Sequence, residues 1–176
     1  PLGAPSLHRR QDLRNAAVDA RSSALARNAR IHAALEDNAL DLLYPSAAEE
    51  LRDLMGEGGA DTLHARFYRF LDGRGAVIPP PPGLAGRLLP NEQAQLAQAA
   101  VPRTMQAGYL ARIADAGDLT VDEMIAVPIR STETNEVIAA LVLGFKPVEV
   151  EAHRGAAGMR NGILGGGRLR LPAVDR

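Results

Sequence analysis

Leu25, Asn28, His32, Leu35, Ala39 and Leu42 recur at alternating three- and four-residue steps, the spacing of a coiled-coil seam. A second stripe of Leu13, Ala17, Ala20, Ala24 and Ile31 occupies a neighbouring face. Residues 6–43 contain neither Gly nor Pro and are dominated by Ala, Leu and Arg, which all favour helix. The pattern predicts one helix of about 37 residues, roughly 55 Å long and longer than a small domain is wide, so that part of it projects. Tyr44-Pro45 is expected to end it, because the residue before a proline avoids the helical region. Ser46, with Glu49 three residues on, reads as a capping box opening a short helix that stops near Gly56-Glu57-Gly58-Gly59.

The period then changes to that of strands. Residues 62–71, TLHARFYRFL, form a strand-like run, and Asp72-Gly73-Arg74-Gly75 is a turn signal leading into a second strand at 76–78. Pro79 to Pro82 cannot donate to a ladder, so pairing stops there. Pro90 opens a helix expected to run to about residue 100. A short strand follows at 109–113 and a loop at 114–120. Residues 123–130 place Ile125, Val127 and Ile129 on one face of a strand; residues 131–135 turn the chain, and 136–145 return as a buried strand. The order predicts an α+β fold, a long N-terminal helix plus an antiparallel sheet of about five strands flanked by short helices. The divisions expected are a terminal remnant of processing or engineering at 1–5, a helical leader at 6–57, a core at 58–147 and a Gly/Arg-rich extension at 148–176, with a strand expected at 168–171.

Composition narrows the function classes. A net charge of -1 argues against a dedicated nucleic-acid binder, which needs a basic surface to displace counterions from phosphates. The absence of Cys removes disulfides and Cys-based zinc sites. The longest uncharged apolar run, residues 137–145, is too short to span a bilayer, so any membrane anchor is expected outside this sequence. Nineteen of the twenty cations are Arg, with Lys146 the sole lysine, a bias that reads as genomic and not as phosphate binding.

FYRFLDGRGAVIPP, followed some fifty residues later by EMIAVPIRSTETNEVIAALVLGF, resembles the PAS-like extracytoplasmic sensor domains of the Cache, or PDC, family. The resemblance covers about residues 6–147: a leader helix, an opening hairpin of the form strand, Asp-x-x-Gly, strand, and a closing Val-Pro-Ile hairpin ending in Gly-Phe. It implies the periplasmic or extracellular portion of a bacterial inner-membrane receptor. Such a domain binds a small molecule and passes the signal through its N-terminal helix, with no cofactor and no catalysis. A homodimer through the seam Leu25, Asn28, His32, Leu35, Ala39 and Leu42 is expected, weakened by the polar Asn28 and His32. The alternatives are a structural or oligomerisation module without ligand, and a small-molecule hydrolase.

For the ligand, Arg66 and Tyr68 (with His64) share a strand face by alternation, Tyr109 and Arg112 sit on the middle strand, and Arg130 ends the next. Arg offers a planar fork for carboxylates and Tyr an apolar ring with one polar tip, so the expected ligand is a small carboxylate. None of His8, His32, His64 and His153 forms an HxxxH or HExxH pair, and no Cys-x-x-Cys-His is present for haem. The glycines at 155–167 lack the Gly-Lys-Ser/Thr ending of a phosphate loop and read as turns. Ser131, Thr132, Glu133 and Thr134 lie in a hairpin turn, and Glu49-Glu50 and Asp122-Glu123 are adjacent pairs that do not converge, which leaves an enzyme the weaker reading.

Overall fold

The structure, a computed structural model, describes residues 4–56, 64–97, 100–113 and 116–146. The Gly/Arg-rich extension, with the strand expected at 168–171, lies outside them. The fold is α+β. Its helices are α1 (Ala4–Arg27), α2 (Ala29–Glu36), α3 (Leu43–Glu50) and the short α4 (Pro90–Ala94), with one 3-10 turn at Leu40–Leu42. The strands are β1 (Ala65–Asp72), β2 (Val77–Ile78), β3 (Gln106–Ile113), β4 (Leu119–Arg130) and β5 (Val137–Phe145). They form one antiparallel sheet in the order β2-β1-β5-β4-β3. Among the described residues no helix is long and apolar enough to cross a membrane.

The leader is not one helix. It breaks at Asn28, whose extended backbone (φ -75°, ψ 112°) lets its side-chain oxygen accept from the Arg30 and Ile31 backbone N–H groups. Asn competes for the backbone in this way, and an N-cap is where that competition stabilises. Its Nδ2 donates to Glu50 Oε1 at 3.1 Å, folding α2 back toward α3. The coiled-coil stripe is therefore not formed. Leu25 and His32 are buried, Leu35 packs half-buried on the core, Ala39 lies outside any helix, and Leu42 is 54% exposed. Tyr44-Pro45 also starts a helix where an end was expected. Pro45 sits in the first turn of α3, where its missing N–H has no intrahelical partner to lose, and Ser46 is an interior helical residue with no capping role.

The sheet has two covered faces. On the first, α1, α2 and α3 bring Val18, Leu25, Ile31, Leu43, Tyr44 and Leu51 onto Tyr68, Phe70, Ile125, Ile129, Leu141, Leu143 and Phe145. Three of the six aromatic residues meet there: Tyr44 stacks on Tyr68 at 5.9 Å and meets Phe70 edge-on at 5.2 Å. On the second face Phe67, Leu71, Leu110, Met124, Ala126, Ala140 and Val142 are covered by Leu88, Leu96 and Val101 from the connection between β2 and β3. Gly144 is what permits this: a methyl there would sit 2.0 Å from the Phe67 ring, which lies directly on the strand. The expected β4–β5 hairpin forms, with Ile125 paired to Leu143 and Val127 to Leu141. The helix opened by Pro90 ends at Ala94, well short of residue 100, because Gln95 turns its side chain to donate to the Ala111 carbonyl and accept the Ala111 N–H. That amide stands in for a strand partner on the otherwise open edge of β3.

Candidate functional site

A one-residue irregularity in β1 decides which side chains reach which face. Ala65 pairs with Phe145 and Phe67 with Gly144, so the residue between them, Arg66, is extra. Such a bulge breaks the two-residue alternation. Downstream of it, Tyr68 and Phe70 face the helices while Phe67, Arg69 and Leu71 face the second side. The shared face expected for Arg66 and Tyr68 is thereby lost, and His64 lies before the strand.

Two of the expected ligand residues do come together. Arg66 Nη1 and Arg112 Nη1 donate to the two oxygens of Asp122 at 3.1 and 3.0 Å, and Arg112 Nε donates to Glu92 Oε1 at 3.3 Å. Asp122 and Glu92 are buried, and Glu92 also accepts the Leu89 N–H at the start of α4. Burial works against the Arg112 charge, but Asp122 and Glu92 outweigh it and hold its pKa above the ordinary value. Two cations facing two carboxylates make a self-neutralised network that fastens α4 and β3 to β4 and β1. The other three stand apart. Tyr68 lies in the helix-side core, Tyr109 is 61% exposed toward the same side, and Arg130 ends β4 bonded to the carbonyls of Asn135 and Arg103.

Arg69 was not among the residues singled out, and its setting is different. Its side chain is only 3% exposed and donates four hydrogen bonds: Nε to Gln93 Oε1 at 3.0 Å, Nη1 to the carbonyls of Tyr68 and Ala85, both at 2.7 Å, and Nη2 to the Gly86 carbonyl at 2.9 Å. Every acceptor is neutral. No carboxylate pairs with it among the described residues, and burial pulls its pKa below the ordinary value. One Nη2 hydrogen is left without an acceptor among those residues. The signal for it in the sequence is a charge set inside an aromatic run, Phe67-Tyr68-Arg69-Phe70, where a solvated arginine has no place.

Arg69 lines a cleft of about 520 Å³ together with Pro79 to Pro82, Leu84, Gly86, Arg87 and Gln93. The wall is a strap, residues 79–89, that leaves the sheet after β2 and runs along β1, where the Tyr68 N–H donates to the Ala85 carbonyl at 3.0 Å. The approach is close enough that a methyl on Gly86 (φ 75°) would lie 2.2 Å from the Arg66 carbonyl oxygen. The strap is also tied to the helices. The Tyr44 hydroxyl of α3 accepts the Phe70 N–H at 3.0 Å and donates to the carbonyl of Ile78, the residue before the strap. It thus bridges the Phe70–Ile78 pair of the ladder. Among the described residues no group of His, Asp or Glu is arranged to hold a metal ion.

No protein-family model and no curated protein matches this chain. Among solved structures it is similar to the extracellular domain assigned to a histidine kinase, at 17% identity and a TM-score of 0.49, over 81% of this chain and 53% of that one. It is likewise similar to a domain assigned to the sensory box/GGDEF family from Vibrio parahaemolyticus, at 17% identity and a TM-score of 0.49, over 81% of this chain and 56% of that one. The chain thus spans little more than half the length of either.

Proposed function

We propose that this chain is the extracytoplasmic small-molecule-sensing domain of a membrane-anchored signalling receptor, and that its ligand is a small organic anion held in the Arg69 cleft. The observation that carries this reading is a buried guanidinium, without a carboxylate partner among the described residues, lining a cleft large enough for a small molecule. A cation withdrawn from water is costly unless a negative charge reaches it. The cleft's prolines offer apolar surface and no N–H donors, so the polar anchoring falls to Arg69, Arg87 and Gln93. The opening and closing hairpins, and a five-stranded sheet with helices on one face and a strapped cleft on the other, accord with the resemblance to Cache domains.

Coupling to the helices has a short route in this reading. β1 presents Arg69 to the cleft and Tyr68 and Phe70 to the helices, and Tyr44 ties α3 to Ile78 at the root of the strap. A ligand shifts the helices only so far as it binds one arrangement of this path better than another.

The test is a thermal-shift and calorimetric panel of acetate, pyruvate, succinate and benzoate at millimolar concentration. At least one stabilises the wild-type fold, as binding to the native state alone requires. Arg87→Gln, which alters an exposed rim residue and spares the fold, weakens the response, and Arg69→Gln abolishes it. A panel in which no compound shifts the melting temperature sinks the reading.

A further inference from the structure

Arg69 does two jobs that compete. Beyond lining the cleft, it is what holds the strap in its observed conformation. Ala85 has φ 67°, the left-handed region that disfavours every residue with a Cβ, and it is buried at 5% exposure. Its carbonyl takes two donors at once, the Tyr68 N–H and Arg69 Nη1, and the next carbonyl, of Gly86, takes Arg69 Nη2. Alanine does not adopt this backbone unaided; a strained residue persists where its surroundings over-determine it. The determinant here is the guanidinium fork.

We infer that Arg69 is a latch shared between the strap and the ligand: an organic anion bound in the cleft draws the fork away from the Ala85 and Gly86 carbonyls, and the strain at Ala85 is released on binding. The inference rests on the sensing function proposed above and adds its switch. Carboxylate oxygens are better acceptors for a guanidinium than neutral carbonyls, and a bidentate pair uses two parallel N–H groups of the fork. The spare Nη2 hydrogen provides the first contact; every other N–H of the fork is already used, and in the latch the second contact is made by Nη1 at the expense of the Ala85 carbonyl. Release changes the backbone at 85–86, next to β1 and within the strap that follows Ile78, so the ligand's effect has a covalent path to the residue at which the Tyr44 bridge to α3 is anchored.

The decisive variant is Ala85→Gly. Glycine takes positive φ without penalty, so the latched state no longer stores strain and binding has none to release. Succinate and benzoate are titrated calorimetrically into wild type and variant. The expected result is that the probe bound by the wild type binds Ala85→Gly more weakly, by about 5- to 30-fold, the factor matching left-handed strain at one residue. A second readout is amide hydrogen exchange at Tyr68, whose acceptor is the Ala85 carbonyl. Saturating probe speeds exchange at that amide if the strap unlatches. Equal or tighter binding by Ala85→Gly, or an unchanged Tyr68 amide, overturns the latch while leaving an anion site at Arg69 intact. Failure of both probes to bind the wild type overturns the latch as well, and the panel of four anions then decides whether the sensing function falls with it.

Discussion

Tyr44 and Tyr68 each lose their phenol to the interior, and burial pushes both pKa values up to about 12 from an ordinary 10. The folded state therefore keeps its phenolic protons through a pH range in which the unfolded chain gives them up. With folded pKa values raised, the stabilisation is complete below pH 10 and is lost as pH climbs from about 10 to 12. Two units correspond to on the order of 2–3 kcal/mol for one such group. Urea unfolding at pH 9 and pH 11 should show a large fall in midpoint, and Tyr44→Phe should make that fall shallower. The same variant should lose about 1–3 kcal/mol at neutral pH, because the Phe70 N–H and the Ile78 carbonyl are left without their bridge.

At the scale of elements, Asn28 separates two accounts of the leader. In the interior of a continuous helix Asn28→Ala would stabilise, since Ala is the better helix former. At the N-cap observed here, it should cost about 0.5–2 kcal/mol, read as a lower denaturation midpoint. The heptad-like spacing of residues 25–42 was real but runs across the end of α1, the whole of α2 and a 3-10 turn, and periodicity alone does not distinguish that from a seam. The β4–β5 hairpin was legible because β4 sets Ile125, Val127 and Ile129 on one face, β5 is a continuous apolar run, and the turn between them carries Ser131 and Asn135, whose hydroxyl and left-handed backbone (φ 59°) shape it. The opening hairpin was legible for a like reason: Asp72 Oδ1 accepts from the Arg74 and Ala76 N–H groups across the turn. The site was not. Its key features are a bulge without a glycine to mark it, a left-handed alanine, and ion pairs such as Arg66–Asp122 whose members lie far apart in the chain.

For the molecule as a whole, α1 is held to the sheet by an ion pair as well as by the core contacts of Val18 and Leu25. Arg14 pairs with Glu123 of β4 while its guanidinium lies 5.0 Å from the Phe145 ring centre, and the two charged side chains are 5% and 16% exposed. Arg21 and Asp53 also pair, but at 40% and 71% exposure. The buried pair should matter far more. Glu123→Ala strands a desolvated cation and should cost about 3–5 kcal/mol, whereas Asp53→Ala should change stability by less than about 1 kcal/mol. Chemical denaturation of the two variants, with exchange protection along α1, measures the difference.

The single surplus residue in β1 has a consequence for evolution and for engineering alike. Ala65 and Phe67 already face successive partners, Phe145 and Gly144, so removing Arg66 would restore a regular ladder with Tyr68, Arg69 and Phe70 on their present faces, at the cost of the bulge and of the Arg66 bond to Asp122. Length can therefore drift by that one residue at the bulge, whereas a residue lost or inserted between Phe67 and Asp72, inside the continuous ladder, would turn the strand over.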